Sequence, residues 1–344
     1  MLDGIEWICS DQVIDNHHLY FGSNGALYRV DMDTWRTAYI PNIKNIEWLK
    51  KRGVGHIVLL NKLLILINWS PMSIAGYDIE KNIITELYEE QNSTANIFKI
   101  EKWNDRIFIF RREKDEMIIL SKNGLCEVRP FLAGIDKTNM HSCRKGGDVF
   151  FFPISGKQYY KYNIENNKLT EGTLLFELSE CQDVAFFEGA IYFLEKKYIK
   201  IWDEKSNIKN IEIQYNKNES IEGIIIPLKD KMFVLPRHIK DIFTINYNGE
   251  INKYTEYPVD FHITQSDDWL KIGTQYISYE QEDGIYYFPR RSTNYMLTID
   301  SNSQHIKWIE LLEPSEEEKV LHLIETEKII YEKENYLPLF IKTI

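Results

Sequence analysis

The chain lacks the signatures that usually announce a reaction. It has no GxSxG, no HExxH, no GxxxxGK[ST] phosphate loop and no GxGxxG, the patterns that place a nucleophile, a metal pair or a nucleotide. Its four cysteines, Cys9, Cys126, Cys143 and Cys181, are widely separated and form no CxxC pair. That spacing argues against a zinc site or a disulfide framework, and reduced core thiols are the expectation. Long apolar runs are missing too. The most apolar stretch, HIVLLNKLLILINW from His56, is interrupted by Asn61 and Lys62 and is too short to span a bilayer. The first residues, MLDGIEWICSDQ, show neither a basic start nor a continuous apolar segment, so no secretory signal is expected and the cytoplasm is the expected compartment. Positive charge is also short, with 41 Lys and Arg against 52 Asp and Glu and a formal charge of −11. This balance argues against a general nucleic-acid or anionic-membrane binder. No cofactor and no metal is expected.

What the chain does have is β-forming residues in a repeat. Hydrophobic residues make up 44% of its 344 positions and aromatics 13%, with 21 Tyr, which is the composition of a packed globular protein. Short aromatic-aliphatic runs start at 19 (LYFG), 64 (LILI), 107 (IFIF), 149 (VFFFP), 191 (IYFL), 232 (MFVLP), 285 (IYYFP) and 329 (IIYE). The spacing is close to 44 residues throughout, apart from one longer interval before 285. After six of the polar links a second run ends on Asp or Asn: LYRVDMDTW, GYDIEKNI, YYKYNIENNKL, YIKIWDEKSNI, FTINYNGEI and LTIDSNSQHI. Asp and Asn suit that position because their side chains bond nearby backbone amides and tolerate turn geometry. A further β-like run, such as HIVLL at 56, precedes most of the first runs. Three of the first runs close on a proline (Pro153, Pro236, Pro289), where a strand terminus tolerates the missing N–H.

Four short strands per unit, repeated, are the mark of an all-β β-propeller of four-stranded antiparallel blades. The units resemble kelch-type and related propeller repeats. The likeness is strongest at LYRVDMDTW, with Tyr28, Asp31, Thr34 and Trp35, although the paired glycines of kelch repeats are absent. It implies one propeller domain over 1–344. Eight blades are favoured and seven are the alternative. In the eight-bladed reading DGIEWIC pairs with the C-terminal strands and closes the ring, which removes the free edges. An insertion is expected at 256–275, read first as a tolerated surface excursion and in the alternative as a loop on a binding face. EPSEEEKVLHLIETEK has the spacing of a short helix over 315–326.

In a propeller the first strand of each blade, A, lies innermost, and B, C and D step outward. The B–C and D–A loops then share one face, and the A–B and C–D loops the other. The B–C links from the third unit onward carry net positive charge, whereas the C–D turns are acidic. Arg112, Lys157, Lys197, Arg237, Arg290 and Arg291 are therefore the candidate ligand-binding residues, since Arg and Lys at a channel mouth suit carboxylates and phosphates. Trp69, Trp103, Trp202 and Trp269 are either stacking platforms or inter-blade packing. His141 with Cys143, two apart, and Asp267 with Asp268 are the nearest approaches to catalytic pairs. The reading that follows is a non-catalytic binding or scaffold propeller that recognises a protein or carbohydrate partner, of anionic character, through the B–C face. No nucleic acid or membrane is expected as partner. The alternative is a propeller lyase or hydrolase acting on an anionic saccharide or peptide in the central funnel.

Overall fold

The computed structural model describes residues 12–23, 26–40, 54–69, 72–90, 97–124, 126–205, 208–213, 223–236, 242–258, 280–282, 284–289 and 295–312. These form seven sheets of four strands, each sheet a run of consecutive antiparallel strands. Blade 1 holds β1 to β4 (Gln12–Asp15, His18–Ser23, Ala26–Asp31, Thr37–Tyr39) and blade 2 holds β5 to β8 (His56–Leu60, Leu63–Trp69, Met72–Asp78, Ile83–Glu89). Blade 3 holds β9 to β12 (Ile97–Trp103, Arg106–Arg111, Glu116–Ser121, Cys126–Pro130). Blade 4 holds β13 to β16 (Met140–Lys145, Asp148–Pro153, Gly156–Asn163, Lys168–Leu178). Blade 5 holds β17 to β20 (Asp183–Phe187, Ala190–Leu194, Tyr198–Trp202, Ile208–Glu212). Blade 6 holds β21 to β24 (Gly223–Pro227, Lys231–Pro236, Phe243–Asn246, Ile251–Lys253). Blade 7 holds β25 to β28 (Glu280–Glu282, Ile285–Pro289, Tyr295–Asp300, Ile306–Glu310). First strands touch first strands of the neighbouring blades, as in β9 with β13, β13 with β17, and β1 with both β5 and β25. Strand A is therefore innermost in each blade.

The second strands explain why the blades pack in a ring. Side chains alternate across a strand, so an uninterrupted apolar run supplies two faces at once. In β10, Ile107 and Ile109 enter an aliphatic cluster with Ile65, Ile67 and Ile74 of blade 2. Phe108 and Phe110 of the same strand face blade 4, among Phe131, Phe151 and Tyr162. In β14, Val149 and Phe151 join that aromatic cluster, while Phe150 and Phe152 turn to Phe193 and Trp202 of blade 5. Phe110 meets Phe151 edge-on at 5.1 Å, and Phe152 meets Phe193 edge-on at 4.9 Å. Truncating one of these buried rings to Ala would cost about 3–5 kcal/mol. Among the described residues seven such clusters form, one at each junction of adjacent blades.

The turns repeat as regularly as the strands. The A–B hairpins of blades 1 to 5 are two-residue links with positive φ at Asn16 and His17, Asn61, Asn104, Gly146, Glu188 and Gly189, the conformation that such links require. The C–D turns reuse one five-residue device. In blade 1 the Asp31 Oδ1 accepts the Asp33 and Thr34 amides at 3.0 and 2.9 Å, and the Trp35 amide closes on the Asp31 carbonyl at 2.7 Å. Asp78 and Asp300 do the same, with Asn82 and Gln304 as the left-handed closing residues. The prolines fall where the repeat places them: Pro153, Pro236 and Pro289 each end the second strand of a blade.

One expectation changes. The propeller has seven blades and not eight, because blade 7 packs directly on blade 1. Tyr287, Met296, Ile309 and Leu311 lie against Leu19, Phe21, Tyr28 and Val30, and the Gln12 side chain donates to the Tyr287 carbonyl at 2.8 Å. These contacts leave no space for a further blade between them. Blade 1 also carries its own inner strand, β1, so it borrows none from elsewhere. A short parallel bridge at Arg36 and Leu312 adds a backbone link, with the Thr37 amide on the Leu312 carbonyl at 3.0 Å and the Leu312 amide on the Trp35 carbonyl at 2.8 Å. The proposed pairing of DGIEWIC with the segment from 329, the helix at 315–326, and most of the insertion at 256–275 lie outside the described residues.

Candidate binding face

The three described candidate cations fall on one face, in three successive blades. Arg112 and Lys197 lie in the B–C links of blades 3 and 5, and Lys157 lies at the start of β15, just after the link of blade 4. Arg237, Arg290 and Arg291 lie outside the described residues. Arg112 is half-buried and its Nη1 donates to the Thr138 carbonyl at 2.7 Å, so it fastens the link between blades 3 and 4. Lys157 and Lys197 are exposed and make no ion pair with any described residue.

The rest of this face is less positive than the B–C links alone suggest, because the D–A loops bring carboxylates to it. At the junction of blades 2 and 3, the Arg111 guanidinium is only 1% exposed and meets Glu90 at 2.9 Å and Glu116 at 2.5 Å, and Lys114 also pairs with Glu90. Lys137, buried in the loop between blades 3 and 4, bonds Asp115 at 2.6 Å and the Leu132 carbonyl at 3.2 Å. That bond and the Gly134 amide hold the Asp115 carboxyl below its ordinary pKa. These cations are structural, since removing one partner of a buried pair leaves an uncompensated charge.

A depression of about 370 Å³ opens between blades 4 and 5, lined by Ser179, Glu180, Glu195, Lys196, Lys197, Tyr198, Lys200 and Asn210. Its floor is fixed by Glu195, which is buried and accepts from Lys200 Nζ at 2.8 Å and from the Ser179 amide at 2.8 Å. Lys200 reaches on to the Glu177 carbonyl at 2.7 Å and lies over the Phe176 ring at 5.6 Å. On the rim, Lys196 pairs with Glu180 at 2.7 Å. The outer strand of blade 4 is bulged beside this depression: Leu178 faces Gly156 and Thr173 faces Gln158, so residues 174–177 stand opposite Lys157 alone. Bulges of this kind re-aim side chains and cluster near functional sites. Sequence reasoning found Lys157 and Lys197 but not Glu195, Lys200, Ser179 or Asn210. The signal for Glu195 was an acid directly after the apolar run IYFL, whereas Asn210 enters only through the pairing of Lys200 with Asn210 across β19 and β20.

The inner strands hold a second charged group. Lys99 and Glu101 of β9 pair at 3.2 Å, and Arg144 of β13 meets Glu101 at 3.3 Å while lying over the Trp103 ring at 5.7 Å. Glu101 raises the pKa of Lys99, so this ammonium stays protonated. The His141–Cys143 pair does not form a reactive couple. His141 Nε2 contacts the Cys181 carbonyl at 3.1 Å, and Cys143 is packed in the blade 4–5 cluster, where burial pushes its thiol well up. Cys126, Cys143 and Cys181 are free thiols. Trp202 is buried in the same cluster and Trp103 sits partly buried at the blade 3–4 junction, so both serve packing. Asp267, Asp268 and Trp269 lie outside the described residues, as does the Trp69 side chain. Among the described residues no three His, Cys, Asp or Glu side chains gather as a metal site requires, and no helix is long and apolar enough to cross a membrane.

The architecture is that of a β-propeller with repeated four-stranded blades. No family model matches the chain, and no curated protein does. Solved structures similar to it are propeller proteins. One is a virginiamycin B lyase from Staphylococcus aureus, with a TM-score of 0.51 and 15% identity over 74% of this chain and 83% of that one. Another is BamB from Moraxella catarrhalis, with a TM-score of 0.50 and 11% identity over 83% and 82%. A third is the computationally designed Ika8 protein, with a TM-score of 0.51 and 9% identity over 89% and 96%. At these identities the likeness is one of fold, and a fold hosts many functions.

Proposed function

We propose that this protein is a non-catalytic binding propeller that recognises an anionic protein or carbohydrate partner through the face carrying the B–C and D–A loops. The observation that carries this reading is the pair Lys157 and Lys197. They are exposed, lie in adjacent blades and have no acidic partner among the described residues, and Lys197 lines the depression described above. Other cations on the face, Arg111, Lys114, Lys137, Lys196 and Lys200, are held by carboxylates. The proposal extends to Arg237, Arg290 and Arg291 as further contacts on the same face, and to a cytoplasmic location.

A second reading is a lyase or hydrolase acting on an anionic saccharide or peptide in the central funnel. The Lys99–Glu101–Arg144 group on the inner strands favours it, since it places cations where an anionic substrate would enter. The two readings separate in one experiment. Arrays of acidic peptides and uronic-acid oligosaccharides are incubated with the protein and read both for retention and for cleavage. Retention without product is expected. Turnover that is lost in Arg144→Ala and kept in Lys157→Glu would replace the binding reading with the enzymatic one.

A further inference from the structure

The depression between blades 4 and 5 has the charge and the donors of a subsite, and this inference rests on the binding face proposed above. Three ammonium groups meet two carboxylates there. Lys196 is matched by Glu180 and Lys200 by Glu195, which leaves Lys197 as one uncompensated positive charge. Among the described residues the Ser179 hydroxyl, the Tyr198 hydroxyl and the Asn210 side chain make no hydrogen bond, so three polar groups beside Lys197 are available to a ligand. Glu195 is buried, Lys200 is half-buried and the two are bonded to each other, which fixes the floor before any ligand arrives. A site fixed in this way loses little entropy on binding.

We propose that this depression receives one carboxylate of an acidic peptide segment, with Lys197 as its charge partner and Ser179, Tyr198 and Asn210 as hydrogen-bonding groups. A single carboxylate follows from the single unmatched charge. A peptide follows from two further observations. The depression borders outer strands: Asn210 of its lining is on β20, and its Lys200 reaches the Glu177 carbonyl of β16. Each is the last strand of its sheet, and an edge strand offers its outward N–H and C=O row to an extended chain. The bulge at 174–177 interrupts the regular ladder of β16 at that place. Trp202, the tryptophan at this junction that could make a sugar-stacking platform, is used in packing, and Tyr198 is the one aromatic side chain among the lining residues.

The test uses the full chain with acetyl-Thr-Val-Glu-Val-Thr-amide, its Gln counterpart, and tri-galacturonate, each titrated by NMR at low salt. The Glu peptide is expected to bind about fivefold more tightly than the Gln peptide, the range of one partly exposed charge-assisted contact. Lys197→Gln, an exposed conservative change, is expected to abolish that preference while the far-ultraviolet spectrum stays unchanged. Equal affinity for the two peptides, or a preference that survives Lys197→Gln, would overturn the subsite. Tri-galacturonate binding that depends on Lys197 while the Glu peptide fails to bind would overturn the peptide assignment. The wider reading has its own control in Lys157→Glu, a change at an exposed residue with no ion pair among the described residues. If that variant loses the Glu peptide and Lys197→Gln keeps it, the face stands and the subsite falls. If neither variant changes binding, both fall.

Discussion

The two faces of the ring use their polar side chains in opposite ways. On the face of the A–B and C–D turns, acids serve the backbone they belong to: Asp31, Asp78 and Asp300 each accept two amides of their own turn, and a left-handed residue closes the device in the same manner. Tyr77 and Tyr162 extend the pattern by donating to the closing Asn82 and Asn167 at 2.7 and 3.0 Å. The other face differs from blade to blade. Blade 3 buries an arginine between carboxylates, blade 4 joins its strands by a link of two residues beside a bulge, and blade 5 closes on the Glu195–Lys200 pair. The regular face builds the ring, and the irregular face is where polar groups remain for a partner. Repeat proteins place binding on such a variable face.

The largest expected effect tests whether the irregular face is also structural. Arg111→Ala would leave the Glu90 and Glu116 carboxylates without their shared buried cation, and a loss of about 3 kcal/mol is expected in denaturant unfolding. A change under about 1 kcal/mol would show that this cluster is not a clamp between blades 2 and 3. On the regular face, Asn82→Val forces a β-branched residue into a φ of 55° and removes the acceptor of Tyr77. A loss of about 2 kcal/mol is expected, against about 1 kcal/mol for Asn82→Gly, which relieves the backbone strain but removes the same acceptor. Tyr77→Phe tests the same contact alone, with about 1 kcal/mol expected.

Acid tests the turns of the regular face. The carboxyls of Asp31, Asp78 and Asp300 are held below their ordinary pKa, chiefly by the Thr34 amide, the Lys81 ammonium and the Asn302 amide respectively. A depressed folded-state pKa contributes stability that is complete above the unfolded value, about 4, and is lost as pH falls through the folded one. Thermal unfolding of Asp78→Asn and Asp300→Asn should therefore depend less on pH below about 4 than the parent does. The smallest expected stability effect is that of Lys157→Ala and Lys197→Ala, within about 0.5 kcal/mol of the parent. A larger loss would mean that these lysines are structural and not held out for a ligand.

How much could be read from the sequence follows the same division. Strand B was legible because runs such as VFFF and IFIF are apolar on both faces, as a strand packed between two neighbours must be. The first seven of these runs, from 19 to 285, became the second strands of the seven blades. The eighth run, IIYE, shares their composition. Composition alone does not say that Tyr287 and Met296 already touch Phe21 and Tyr28, and those contacts set the blade number. The turns were legible because Asp and Asn act locally. The binding face was only half legible: Arg112, Lys157 and Lys197 stand out in their links, but Glu90 meets Arg111 and Lys200 reaches Glu177 only once adjacent blades are brought together.

The central claim is that an anionic partner binds the irregular face of a chain whose overall charge is −11. Its most direct test compares two double charge reversals in low-salt titrations with poly-glutamate, where screening is weak. Lys157→Glu with Lys197→Glu alters the irregular face, and Lys81→Glu with Lys122→Glu alters the C–D turns by the same total charge. The account predicts that the first variant loses binding and the second keeps it. Equal loss in both, or loss in the second alone, would contradict it.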